Sequence, residues 1–322
     1  MSRRLRVAFP YPNDWIRDGD EVRTSVTPNR TWILREAEVL RRKADLHLLS
    51  TGVSDFNRTR YDVLYSPCEL TYNVPGLAAL AGKPAVLRFF VGPPKVGDRL
   101  PVPWPDIFAM LRGAALSFLT VVANTMRLKE DLEAYGVSVA GVIPQVAVPG
   151  CGVGDLEPRF TFLGRAVGKG FDDLLGAARI AGVPLRVGLV GPPHEVALAS
   201  ELVAGSGVDV DVWENLPWSE VVRLIDSSVA VVSGSSVDTF WQSGIEALAR
   251  GRDCRLIGNE YTASAYGPWV NAGSVDGLAE YMRAGHVAGP EQCRVRLRDM
   301  GSDPGGYLGR LLPILERASA GG

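Results

Sequence analysis

Apolar runs of strand length alternate with stretches of helical period along nearly the whole chain, a pattern that fits parallel α/β architecture and little else. In the first half, "LRVAF" (5–9), "DLHLL" (45–49), "YDVLYS" (61–66), "PAVLRFF" (84–90), "LSFLTVVA" (116–123) and "AGVIP" (140–144) read as strands. Between them "TPNRTWILREAEVLRRKA" (27–44) carries a Thr-Pro helix start, and "NTMRLKEDLEAYG" (124–136) runs from an Asn cap to a glycine stop. At 144–158 the period vanishes into "PQVAVPGCGVGDLEP", rich in Pro and Gly, which reads as a linker between domains. The alternation then restarts, with strands predicted at 159–163, 184–191, 208–213, 228–234 and 254–258. Helices are predicted at 170–181, 193–205, 217–226, 242–251, 274–285 and 290–300, and at 306–318, where Pro313 is expected to kink the last one. The pattern implies two Rossmann-like domains, 1–150 and 151–322, with a terminal helix able to pack back on the first. Such halves normally take ligand in a central cleft between them.

Size and charge narrow the partners. The 322 residues suffice for two domains, 46% of them are hydrophobic, and the net charge of −2 argues against a nucleic-acid partner. No apolar run approaches the roughly 18–20 residues that span a bilayer, which leaves only peripheral membrane contact open. Cys68, Cys151, Cys254 and Cys293 show neither disulfide nor metal spacing, so free thiols in a reducing cytoplasm are expected. Asp209 and Asp211 mimic a D-x-D metal motif, yet "VDVDVW" alternates strictly, which puts both aspartates on one wet face of a strand. No metal site is expected. The tryptophans are mostly core candidates; Trp15 and Trp104, in loops of the first domain, could stack on a ligand.

The chemistry concentrates in "RFTFLGRAVGKGFDDLLGAA" (159–178), where a strand ends in Gly164-Arg165, a Gly-Lys-Gly follows, and a helix begins. This spacing suggests a phosphate. A Walker loop is excluded: three residues separate Gly164 from Gly168 instead of four, and Gly170 stands where the magnesium-binding hydroxyl belongs. A dinucleotide fold is weak, because no strand leads into G-x-G-x-x-G; Gly150-x-Gly152-x-Gly154 precedes Pro158 and a new strand.

"FLGRAVGKGFDDLLGAA" closely resembles the G-R-x-x-x-K-G turn that opens the C-terminal domain of GT-B glycosyltransferases, in the retaining clan of glycogen and sucrose synthases. "DTFWQSGIEALARG" (238–251) supplies that family's second signature, an acid and a glutamate with seven residues between them, here Asp238 and Glu246. The resemblance covers about residues 160–260 and is topological for 1–150. It implies the GT-B fold and a metal-independent, retaining glycosyltransferase. Arg165 and Lys169 would hold the diphosphate of a nucleotide sugar and Asp238 would face the donor sugar. Glu246 would accept ribose hydroxyls, the helix start at Ser243 would aid the phosphates, and Gly191, Trp213 and Leu216 would line the base pocket. No cofactor is implied beyond the donor substrate. The acceptor, whether glycan, lipid, protein or small molecule, stays open. Three departures stand out: Trp241 replaces a glycine, "PYPNDWIRDGDE" (10–21) replaces a glycine-rich loop, and Phe89-Phe90 replaces a histidine. Alternatives are an inactive nucleotide-sugar-binding or scaffold protein, a sugar-nucleotide epimerase and, with few lysines to hold a pyridoxal group, a phosphorylase. His194, next to Pro192-Pro193, reads as a cap or exposed residue before a base contact.

Overall fold

In the computed structural model, the described residues are 4–11, 15–18, 21–24, 31–50, 61–67, 82–90, 118–150 and 156–321. Cys68, Trp104 and Cys151 lie outside them. Two compact units result, one of Met1–Ser25, Ile33–Gln145 and Gly305–Gly322, the other of Val26–Trp32 and Val146–Pro304.

The first unit is built on β1 (Arg6–Tyr11), β2 (Trp15–Asp18), β3 (Glu21–Thr24), α1 (Thr31–Arg41), β4 (Asp45–Ser50), β5 (Val63–Ser66), β6 (Ala85–Phe89), β7 (Leu119–Ala123), α2 (Met126–Ala134) and β8 (Val139–Val142). Its sheet has the order β4-β1-β5-β6-β7-β8, and every pairing is parallel. The strands are nearly continuous apolar runs because both faces are covered: β5 and β6 are buried at every position. β2 and β3 form a separate antiparallel hairpin that begins within "PYPNDWIRDGDE" (10–21) and runs on to Thr24. The cap of α2 is Thr125, not the expected Asn124; its Oγ1 accepts the Leu128 N–H at 3.1 Å.

The second unit runs β9 (Phe160–Gly164), α3 (Phe171–Ala181), β10 (Leu185–Leu189), α4 (Pro193–Ser206), β11 (Val210–Glu214), α5 (Trp218–Ser227), β12 (Ala230–Ser233), α6 (Gln242–Ala249), β13 (Asp253–Leu256), α7 (Glu260–Tyr266), α8 (Val275–Ala284) and α9 (Pro290–Met300). The parallel order is β11-β10-β9-β12-β13. Its core joins Phe160 and Phe162 of β9 to Phe171, Leu174 and Leu175 of α3 and to Leu278 and Met282 of α8. Left-handed glycines at 182, 207, 285 and 301 end α3, α4, α8 and α9.

The last helix, α10 (Pro304–Ala320), continues through Pro313 and belongs almost wholly to the first unit. Its Tyr307 reaches a buried polar cluster there. Arg88, fully buried on β6, donates from Nη2 to Glu36 Oε1 at 2.5 Å, from Nε to the Pro67 carbonyl at 3.1 Å and from Nη1 to the Pro144 carbonyl at 3.1 Å. Tyr307 Oη donates to Glu36 Oε2 at 3.2 Å. Burial pushes the Glu36 carboxyl up to about 7, against the opposing pull of Arg88. Phe90, just past β6, lies under the Arg88 guanidinium at 5.0 Å.

Candidate active site

In the second sheet β9, β10 and β11 are laid down in one direction and β12 and β13 in the other, so the strand order reverses between β9 and β12. In open parallel sheets a ligand crevice forms outside the carboxyl ends of the strands at such a reversal. The turn after β9 carries Arg165 and Lys169, and the loop after β12 carries Asp238. Topology therefore brings together residues 69 apart in sequence.

The two loops meet through glycines. Gly170, left-handed at φ 59°, starts α3; a Cβ on it would lie 2.1 Å from the Gly234 carbonyl oxygen. A Cβ on Gly234 would in turn lie 1.8 Å from the Gly170 oxygen. Neither position admits a side chain without moving backbone. At this crossing Lys169 Nζ donates to Asp238 Oδ1. The lysine is partly exposed and the aspartate nearly buried. Asn259 steadies the aspartate's loop from α7: its Nδ2 donates to the carbonyls of Ser236 at 2.8 Å and Asp238 at 3.0 Å, while its Oδ1 caps the helix.

Arg165 turns the other way, toward the end of β10. Its Nε donates to Glu195 Oε2 at 3.0 Å and its Nη2 donates to Oε1 of the same carboxylate. These hydrogen bonds hold the Glu195 carboxyl below the usual carboxylate range and raise the guanidinium. Gly191 lies against Glu195, and its N–H donates to Asn215 Oδ1 at 3.3 Å, joining the loops after β10 and β11. Leu216 follows Asn215, half-buried. Trp213 sits on the edge strand β11 and is 45% exposed, so it is not a core residue.

Helix α6 follows the Asp238 loop. It begins at Gln242, and Ser243 inside its first turn donates from Oγ to the Leu163 carbonyl at 3.0 Å, pinning the helix start to the end of β9. Glu246 is buried one turn along and accepts from Gln242 Nε2 at 2.7 Å. Trp241 is 5% exposed; its indole covers Gly244, where a Cβ would lie 2.5 Å from the ring, and its carbonyl accepts from Tyr266 Oη. The large side chain therefore folds into the core beside the loop.

The helix starts differ in charge. α3 carries Asp172 and Asp173 in its first turn, and α4 carries Glu195, whereas α6 has no acid there. An anion at the reversal of strand order thus meets its most favourable helix dipole at α6. Asp209 and Asp211 are both exposed and both paired with Arg159, at 3.2 and 3.4 Å. Among the described residues no cluster of His, Cys, Asp and Glu could hold a metal ion, and no helix is long and apolar enough to cross a membrane.

No protein-family model matches the chain, and no curated protein matches it in sequence. Solved structures do. A glycosyltransferase involved in avilamycin A biosynthesis is similar over 99% of this chain and 99% of its own, with TM-score 0.68 and 18% identity. Sucrose-phosphate synthase from Thermosynechococcus elongatus is similar over 99% of this chain and 100% of its own, with TM-score 0.69 and 13% identity. The fold is GT-B. A mutant TarM from S. aureus, in complex with fondaparinux, α-GlcNAc-glycerol and UDP, matches 79% of this chain and 55% of its own, with TM-score 0.61 and 11% identity. Within this GT-B fold, Arg165, Lys169 and Asp238 stand at the strand reversal of the second Rossmann-like unit. Glu195, Gly234, Gln242 and Asn259 join them there without a sequence signal of their own, except that Asn259 and Thr262 spell a capping box.

Proposed function

We propose that the protein transfers a sugar from a nucleotide-diphosphate sugar to an acceptor, the second unit holding the donor and the first the acceptor. The observation that carries this reading is the meeting of Lys169 and Asp238 over the Gly170–Gly234 crossing, with Arg165 on the same turn. A leaving nucleoside diphosphate gains negative charge as the glycosidic bond breaks. Cations and a helix start fixed before the reaction lower that barrier without having to reorganise. Arg165, Lys169 and the N-terminus of α6 supply such charge from this chain's own groups, which supports transfer without a metal. Asp238, beside the lysine, would face the donor sugar, and Glu246 would accept from the ribose hydroxyls. That a protein of this fold, TarM, is found in complex with UDP supports a nucleoside diphosphate at the second unit. Retention at the anomeric carbon is part of the proposal.

Glu246 separates a nucleotide site from a plain phosphate site. Glu246→Gln keeps the shape and removes charge-assisted hydrogen bonds, so nucleoside diphosphate affinity should fall by about 10- to 150-fold. Pyrophosphate, which has no ribose, should bind both proteins equally. Calorimetric titration of both ligands into both proteins reads this, and equal losses for the two ligands, or none, would remove Glu246 from the ribose.

A further inference from the structure

A guanidinium offers two edges to a planar acceptor. Glu195 occupies one edge of Arg165, taking hydrogen bonds from Nε and Nη2. The Nη1 side of the fork is left facing away from the carboxylate, and the Arg165 side chain is 47% exposed against 11% for Glu195. The carboxylate is the better anchored of the two. It stands in the first turn of α4, where the helix dipole favours an anion. Its Oε2 lies 3.1 Å from the point a Cβ on Gly191 would occupy, so a side chain at 191 would push the carboxylate by a few tenths of an ångström. Pro193 has no amide hydrogen and the Glu195 and Val196 N–H groups donate to the Pro192 carbonyl at 3.0 and 3.2 Å, so in the first turn of α4 the His194 N–H is the main donor left for an external anion.

We propose that Glu195 is a positioning residue for the donor's diphosphate: it grips Arg165 by one edge so that the other edge is presented to phosphate, and it is a resident counter-charge that weakens ground-state anion binding. The inference rests on the proposed function for the identity of the ligand. Two opposed effects follow from one carboxylate. Its charge repels any anion bound at Arg165, whatever the reaction stage. Its grip fixes the guanidinium where phosphate charge develops, which matters most during transfer. Removing the charge should therefore tighten simple anions and slow the reaction, a split that a residue needed only for folding does not produce.

The test is a double-mutant cycle on the full-length protein with inorganic pyrophosphate as the probe, in wild type, Glu195→Gln, Arg165→Ala and the double variant. In Glu195→Gln the Kd for pyrophosphate should fall about tenfold, and transfer at saturating donor should slow about tenfold. Added to Arg165→Ala, the same change should slow transfer by less than about twofold further, because no guanidinium is left to position. Glu195→Ala should move both in the same directions, which guards against a folding defect in one variant. Unchanged or weaker pyrophosphate binding in Glu195→Gln overturns the proposal, as does an equal slowing of transfer in the Arg165→Ala background or a wild type that binds no pyrophosphate. A wild type that shows the full pyrophosphate cycle yet gains no affinity from an attached nucleoside would fail the proposed function and leave the role of Glu195 standing.

Discussion

Arg165 and Lys169 each face a carboxylate, and each cation is more than a third exposed. Ion pairs of this kind contribute about 0–1 kcal/mol to stability, so their importance lies in where they hold charge. Lys169→Ala is accordingly expected to slow transfer by roughly 100- to 1,000-fold, the scale for losing one fixed donor to a developing anion. Its unfolding midpoint in denaturant should stay close to that of wild type. Wild-type turnover in the folded variant would sink the assignment. The Glu195 carboxyl carries a pH signature. Its folded value lies below the ordinary 4.5, chiefly through hydrogen bonds from Arg165, so its stabilising contribution is complete above 4.5 and disappears as pH falls below it. Comparing thermal midpoints of wild type and Glu195→Gln from pH 7 down to pH 3 should show the gap closing only in the acid range.

The element that makes the site is the crossing of two turns, after β9 and after β12, at Gly170 and Gly234. Gly170→Ala would combine a left-handed backbone with a Cβ driven into a carbonyl oxygen. Overpacking alone costs about 1–3 kcal/mol, and because the obstacle is backbone, the turn should shift and carry Lys169 away from Asp238. Denaturant unfolding together with pyrophosphate titration reads both effects, and a variant that keeps both values refutes the close approach. Much of this architecture is legible in sequence because punctuation is strong. α4 is predicted at 193–205 and observed at Pro193–Ser206, bounded by proline and a left-handed glycine. α7 escapes the period because seven residues make barely two turns, and the β2–β3 hairpin escapes because each strand has only four. Arg165 and Lys169 show in the G-R-x-x-x-K-G spacing. Glu195 does not, because its pairing depends on β9 and β10 being neighbours, a relation that spacing along the chain does not contain.

For the molecule as a whole, the cluster of Arg88, Glu36 and Tyr307 joins parts of the first unit that lie far apart along the chain. Arg88 holds the Pro144 carbonyl where the chain is about to leave this unit, and Tyr307 reaches Glu36 just after it returns. Glu36→Ala would strand a fully buried guanidinium and should lower unfolding free energy by about 3–5 kcal/mol. Glu36→Leu combined with Arg88→Met should recover most of that loss, and denaturant melts of the single and double variants check it. If the single change proves harmless, the cluster does not hold the unit together. The return of α10 also orders events on the ribosome. The second unit is contiguous apart from Val26–Trp32, whereas the first takes Tyr307, Leu311, Ile314 and Leu315 from chain that follows the second unit. The first unit can therefore be completed only after the chain of the second, residues 146–304, has been made, and removal of residues 305–322 should leave its core open.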